Sequence, residues 1–162
     1  MIDSLRGVQR LRAFLTHRGV EAEILLPGVP MPTVPTAAAA IGVTEDQILK
    51  SLLFVDGDGQ AVLVVASGVH RVDRAKLAAA SGLRRPRMAD PETVLRITGY
   101  PAGGVAPVGH ATALRVLVDR RTALLPVAYG GAGAEEALVR ISPAEILRLT
   151  GGEIADLVDG SA

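Results

Sequence analysis

Two residues break the charge usage of this chain: of its seventeen Lys and Arg residues, only Lys50 and Lys76 are lysines. Lys50 lies inside Ile48-Leu-Lys-Ser-Leu-Leu-Phe-Val55, whose other members favour burial. On a strand, alternation sets Ile48, Lys50, Leu52 and Phe54 on one face and Leu49, Ser51, Leu53 and Val55 on the other, so a charge shares a face with apolar side chains. At the floor of a cleft such an ammonium presents a compact charge to a phosphate or a carbonyl oxygen. At a strand's edge the same side chain lays its stem along the surface and reaches water. Lys76 falls on a capped amphipathic helix and reads as a solvated charge. The second candidate is the stretch Gly99-Tyr-Pro-Ala-Gly-Gly-Val-Ala-Pro-Val-Gly109, four glycines and two prolines in eleven residues. Its glycines let the backbone approach a ligand closely, and successive amides in such a loop can converge on one oxyanion. It matches neither a phosphate-binding Walker loop nor a dinucleotide fingerprint, and a tight surface turn is the plainer alternative. His110 follows directly, placed either to meet a substrate and shuttle a proton or simply to face water.

Other chemistries are excluded by composition. The absence of cysteine removes disulfides, thiolate nucleophiles and Cys-ligated metals. His17 and His70 form no metal-ligand spacing with His110, no serine-hydrolase elbow or paired-carboxylate signature is present, and no metal or cofactor is expected. The formal net charge is zero, so affinity for nucleic acid or membrane cannot rest on bulk charge, although a local basic patch is permitted. The aromatic residues are Phe14, Phe54, Tyr100 and Tyr129 alone, too few for a base-stacking platform. Arg71, Arg74, Arg84, Arg85 and Arg87 fall within seventeen residues, as a basic rim for phosphates or as dispersed solvated charges. No secretion signal or membrane-length apolar run is seen, so a cytoplasmic protein is expected.

The elements that must position these residues are legible from periodicity and punctuation. The 162 residues, 49% hydrophobic, suit a single domain over 1–162 with one sizeable core. Ile2, Leu5, Val8, Leu11 and Leu15 recur at helical spacing up to Gly19. Val20–Leu26 reads as a strand, the four prolines between 27 and 35 as a rigid connection, and Thr33 as the cap of an Ala-rich helix ended by Gly42. Ile48–Val55 and Gln60–Ala66 pair across Asp56-Gly-Asp-Gly59. Asp73, Asp90-Pro91 and Ser142-Pro-Ala-Glu145 open three further helices, the last with a capping box, and Ala113–Asp119, Leu124–Ala128 and Ala137–Ile141 read as strands. About six strands and five helices, not strictly alternating, favour a mixed sheet or open barrel with flanking helices over a doubly wound fold.

These residues also carry a family resemblance. Thr33-Val34, Ala37-Ala38, Gly42-Val43, Gln47-Ile-Leu-Lys-Ser-Leu52, Gly68, Asp73, Thr98-Gly-Tyr100 and Gly103-Gly-Val-Ala-Pro-Val-Gly109 together resemble the YbaK/EbsC family, free-standing relatives of the editing insertion domain of bacterial prolyl-tRNA synthetase. The resemblance runs from Thr33 to Leu149. It implies a single α/β domain with a mixed, barrel-like sheet, and deacylation in trans of mischarged aminoacyl-tRNA, such as cysteinyl- or alanyl-tRNA for proline. By it, Lys50, Gly103 and Gly104 are the catalytic residues, with Gly103–Pro107 as the family's G-x-x-x-P loop. Lys50 binds the 3′-end, the loop amides polarise the ester, and water or a ribose hydroxyl attacks. Thr33, Ser51, Gly68, Tyr100, Val105, Ala106, Pro107, Gly109, His110, Tyr129 and Gly130 are the implied substrate-binding set. The tRNA acceptor end is the implied partner, a synthetase a further one, in a monomer or weak dimer. Cysteine-removing members carry a serine before the late Gly-Gly and an aspartate after it; this chain has Tyr129 and then Glu135-Glu136, which places Tyr129 at the pocket wall. Two other functions are compatible with the same residues: a non-catalytic module binding tRNA ends or a small aminoacyl or nucleotide ligand, and hydrolysis of a non-tRNA ester.

Overall fold

The computed structural model describes residues 2–160; residues 1, 161 and 162 of the expected domain lie outside the described residues. Its helices are α1 (Ile2–His17), α2 (Val34–Ile41), α3 (Arg74–Ser81), α4 (Pro91–Thr98) and α5 (Pro143–Thr150). The strands are β1 (Glu23–Leu25), β2 (Leu49–Val55), β3 (Ala61–Ser67), β4 (Arg87–Met88), β5 (Arg115–Asp119), β6 (Ala128–Gly131), β7 (Leu138–Ile141) and β8 (Glu153–Ala155). The helix ends follow their caps. The Asp73 carboxylate accepts from the amides of Ala75 and Lys76, Asp90 accepts from Thr93, and Thr33 forms a reciprocal box with Thr36. At α5 only half of the expected box forms, because Ser142 accepts the Glu145 amide while the Glu145 carboxylate turns to Arg148.

Five strands form one mixed sheet in the order β4-β2-β3-β5-β8, and three form an antiparallel sheet in the order β1-β7-β6. β2 and β3 pair antiparallel across the Asp56–Gly59 turn, while β3 with β5 and β5 with β8 run parallel. Asp56 fixes the turn by accepting from the amides of Asp58 and Gln60. This is the expected mixed α/β architecture with five helices, divided between two sheets that do not close into a barrel. The strand expected at Leu124–Ala128 begins only at Ala128, since Thr122–Leu124 is a 3₁₀ turn. β4 and β8, two and three residues long, are edge strands too short to carry a period-two signal.

The large sheet has two covered faces. Leu49, Leu53, Leu63, Val65, Val116 and Val118 face a core shared with α1, α5 and the small sheet. Phe54, Val62, Val64 and Leu117 face Leu77 of α3 and Leu157. A third cluster, around Ile48, Ala37, Ala38 and Leu138, seats α2 between the two sheets. Along α1 the expected apolar stripe is buried at Leu11 and Leu15, whereas Leu5 is 61% exposed. Gly7 meets the backbone of Gly133, which turns the buried face of α1 toward Gly7 and leaves Leu5 about 100° round the helix from its centre.

Candidate functional site

The glycine-rich loop is built outward from the end of α4. Gly99, in the left-handed region at φ 81°, ends that helix, and the Ala111 amide bonds Thr98 O at 2.9 Å to close the base of the loop. A turn brings the Gly104 amide to Pro101 O at 2.9 Å, with Gly103 at φ 86°, a conformation that only glycine adopts readily. Tyr100, fully buried, donates from its hydroxyl to Val108 O at 2.8 Å and lies within 3.1 Å of Gly109 O. His110 crosses Tyr100 edge to face and meets Ala106 O through Nε2 at 2.8 Å. A carbonyl can only accept, so this bond assigns the imidazole proton to Nε2 and leaves Nδ1 as an acceptor. Burial holds the imidazole below its ordinary pKa, partly offset by that bond.

From the other side the loop rests on β6 and the turn after it. The Gly133 amide donates to Gly104 O at 2.8 Å. A Cβ at Gly131 would lie 2.5 Å from Val105 O, one at Gly130 would lie 3.1 Å from Pro107 Cδ, and one at Gly104 would meet the backbone of Ala134. Gly104 through Gly109 are buried, and only Ala102 and Gly103 are exposed. The side chains of Val105, Pro107 and Val108 therefore anchor the loop, and what it can offer a ligand is backbone. Gly104 spends its amide within the loop, but the buried amides of Val105, Ala106, Val108 and Gly109 have no acceptor among the described residues. Buried main-chain donors are normally paired, so adjacent amides without acceptors on a braced loop, Val105 with Ala106 and Val108 with Gly109, are an arrangement suited to an oxyanion. The sequence did not single out the small residues 131–134 or Glu135 for this loop. Glu135 places Oε1 3.3 Å from where a Cβ of Gly103 would stand. The run Gly130-Gly-Ala-Gly-Ala134 was the available signal, since two backbones approach this closely only where side chains are absent.

Lys50 stands elsewhere. It lines a groove of ≈ 470 Å³ with Leu52 and Phe54 of its own strand face, together with Arg71, Asp73 and Arg74, and no residue of the 103–107 loop belongs to that groove. Its Nζ donates to His70 O, and half-burial lowers its pKa. Ser51, on the opposite strand face, has a buried hydroxyl without a partner among the described residues. The connection between lysine and loop runs through β6: Ile48 bridges Tyr129, and Gly130 touches Pro107. By strand and sheet spacings this path is about 20 Å or less. Tyr129 lies across from Arg140 and lines a separate groove with Leu25, Leu26, Pro27 and Ile41. Thr33 is exposed and engaged with Thr36, while Gly68 donates to Ile48 O at 2.6 Å beneath a methyl of Val34. The expected site residues thus form a loop group (Tyr100, Gly103 to Pro107, Gly109, His110 and Gly130), a strand-entry group (Thr33, Gly68 and Tyr129) and the Lys50 groove. Among the described residues no three His, Asp or Glu side chains gather as metal ligands, and no helix is long and apolar enough to cross a membrane.

Comparison with known proteins gives this geometry its context. The chain is 33% identical over 140 residues to the uncharacterized protein YwhH of Bacillus subtilis, covering 86% of this chain and 88% of that one. It is 27% identical over 122 residues to an Enterococcus faecalis protein named "Putative Cys-tRNA(Pro)/Cys-tRNA(Cys) deacylase EbsC", covering 75% and 74%. It also matches a proline–tRNA ligase of Stenotrophomonas maltophilia at 35% over 103 residues, 60% of this chain but only 18% of the ligase. Among solved structures, one described as a "putative trans-editing enzyme for prolyl tRNA synthetase" superposes with a TM-score of 0.88 at 37% identity, covering 95% of this chain and 98% of that one. The aminoacyl-tRNA editing domain profile matches residues 29–149, a span that holds Lys50, the whole Gly99–Gly109 loop and the β6 segment that supports it. By that match and these relatives, the chain belongs to the aminoacyl-tRNA editing domain family.

Proposed function

We propose that this protein hydrolyses the ester of mischarged aminoacyl-tRNA in trans, with cysteinyl- or alanyl-tRNA for proline as the substrate class. The observation that carries this reading is the braced loop whose buried amides, those of Val105 and Ala106 next to the Gly103–Gly104 turn among them, have no acceptor among the described residues. Attack on the ester carbon turns the carbonyl oxygen into an oxyanion. Two preorganised N–H donors aimed at such an oxygen lower the barrier where charge develops. The nucleophile is water, held by the neighbouring ribose hydroxyl; its oxygen bonds to the acyl carbon, the bond between the acyl carbon and the ribose oxygen breaks, and that oxygen takes the proton the water gives up. Once bound beside the reacting carbonyl, an ester of this kind needs positioning more than a protein nucleophile.

Lys50 has a different task in this scheme. Its groove lies on the opposite face of the large sheet from the loop, so Lys50 serves the RNA rather than the ester. Lys50, with Arg71 and Arg74 beside it, holds a phosphate of the 3′-end as a point charge. In this scheme the site works in the cytoplasm, and a synthetase supplies the tRNA selectivity. The test is a panel of mischarged tRNAs incubated with micromolar protein and assayed for released amino acid. Hydrolysis of at least one member is expected, and a panel left wholly intact would refute the reading.

A further inference from the structure

The largest cleft among those described lies on the outer side of the loop, between α1 and α4, with a volume of ≈ 1040 Å³. Arg6, Gln9, Arg10, Ala13 and His17 recur at helical spacing and present one face of α1 to it, opposite the face that carries Leu11 and Leu15. Arg96 faces it from α4, and Pro101, Gly109 and His110 supply the wall nearest the loop. Three features separate this cleft from the other charged surfaces of the molecule. It is lined by three arginines and no carboxylate, whereas the Lys50 groove includes Asp73 and Asp159 and the hairpin groove of Arg84, Arg85 and Arg87 includes Asp58. None of Arg6, Arg10 and Arg96 forms a salt bridge among the described residues. The Arg10 guanidinium is set against Gly99, where a Cβ would come within 2.5 Å of its Nε, so it sits at the mouth of the loop rather than ranging freely over the surface.

The geometry points to this cleft as the binding site for the sugar-phosphate backbone of RNA, continuous with the loop. The inference rests on the reading of the loop as an ester-hydrolysing site and says where the remainder of the RNA lies. Guanidinium groups suit phosphate because their planar donors engage its oxygens in pairs. Arg6 and Arg10 follow one another by one helical turn, about 6 Å of axial rise, and so form a row of charge rather than a point. His110, bonded to the loop through Nε2, keeps Nδ1 as an acceptor, which suits a ribose hydroxyl and not a phosphate oxygen. A chain of zero net charge thereby gains a local basic surface of three charges, which limits the phosphates it engages there to about three.

The test measures binding of an unacylated RNA stem-loop with a single-stranded CCA 3′-end, by fluorescence anisotropy across a salt series. Each phosphate engaged contributes about 0.7 to 0.9 to the slope of log affinity against log salt, the lower value holding for single strands. R6A/R10A/R96A is therefore expected to flatten that slope by about 2 to 3 and to weaken low-salt binding at least tenfold. R84A/R85A/R87A removes three charges at the hairpin and is expected to leave both within twofold. R6Q and R96Q, single changes on separate helices, should each flatten the slope by about 1 and serve if the triple variant does not fold. Unchanged binding by the cleft variants, an equal loss in the hairpin variant, or no binding by the wild-type protein would overturn the assignment. Because the probe carries no amino acid, its outcome is independent of hydrolysis. RNA held through this cleft by a protein that releases no amino acid from the mischarged panel would leave the cleft standing and remove the deacylase reading. Hydrolysis with wild-type binding by R6A/R10A/R96A would do the reverse.

Discussion

Gly131→Ala is the substitution that most directly tests whether the loop is the reacting site. Gly131 lies on β6 with ordinary, non-positive φ, so alanine meets no backbone strain there. What it meets is Val105 O at 2.5 Å, Val105 C at 3.1 Å and Gly104 C at 3.2 Å. To regain ordinary contact the loop must withdraw by about 0.9 Å, and its amides move with it. Overpacking of this kind costs about 1–3 kcal/mol, or about 3–10 °C in melting temperature for a chain of this length. A displacement approaching 1 Å at a positioning group costs about 10²-fold in rate. Thermal unfolding by circular dichroism and deacylation of mischarged tRNA read the two effects separately. Gly57→Ala is the control: nothing lies within 4 Å of its Cβ position and its φ is not positive, so it should leave activity unchanged and raise the melting temperature slightly. A G131A protein that melts lower as expected yet hydrolyses within about threefold of wild type would refute the assignment of the ester to the loop amides. One that melts like wild type would refute the close packing of β6 on the loop.

Four further outcomes follow from the same geometry. Lys50→Ala removes a charge that anchors RNA away from the ester, so steady-state kinetics should show KM raised about 10- to 100-fold, the value of one or two charge-assisted contacts, with a smaller change in kcat; a fall confined to kcat would place Lys50 at the reacting carbonyl instead. Tyr100→Phe deletes the donor to Val108 O and should cost about 1 kcal/mol in urea unfolding, while an unaltered midpoint would mean that the hydroxyl does not brace the loop. Glu135→Gln, beside Gly103, tests for a base: a rate unchanged from pH 5 to 8 would exclude proton abstraction by that carboxylate. His110, kept below its ordinary pKa by burial, is neutral in the folded protein at pH values where the unfolded chain already takes up a proton. Stability is therefore complete above about pH 6.5 and declines as the pH falls below it. His110→Gln should flatten the drop in melting temperature between about pH 6.5 and 5.5, and an identical pH dependence in the two proteins would contradict a buried neutral imidazole.

The five helices were legible from residue order because their limits are set by local chemistry. A capping Asp, Ser or Thr at one end and a glycine in the left-handed region at the other mark α2, α3, α4 and α5. The β2–β3 hairpin was legible for the same reason, with apolar runs on either side of a turn that Asp56 closes through its own neighbours. Leu5 and the strand misplaced at Leu124–Ala128 mark the limit of that local information. Which side of α1 is buried depends on Gly133, 126 positions away, and no residue near Leu5 reports it.

For the site, the parts can be read from residue order: a lysine within an apolar strand, a glycine-rich loop able to present amides, and a histidine and a tyrosine close enough in the chain to pack against that loop. These are properties of residue type and short spacing, so they survive without coordinates. How the parts are distributed depends on the packing of the sheets and helices. Alternation along β2 directs Lys50 to the face covered by α3, while the loop packs with α1, β6 and the 131–134 turn on the other side of the large sheet. That packing also decided that Val105, Pro107 and Tyr100 act as anchors beneath the loop, and that Arg6, Arg10 and Arg96, 90 residues apart at their extremes, line one carboxylate-free cleft. Contacts of that range depend on which faces meet when the sheets and helices pack, and a one-dimensional pattern carries the faces without their partners.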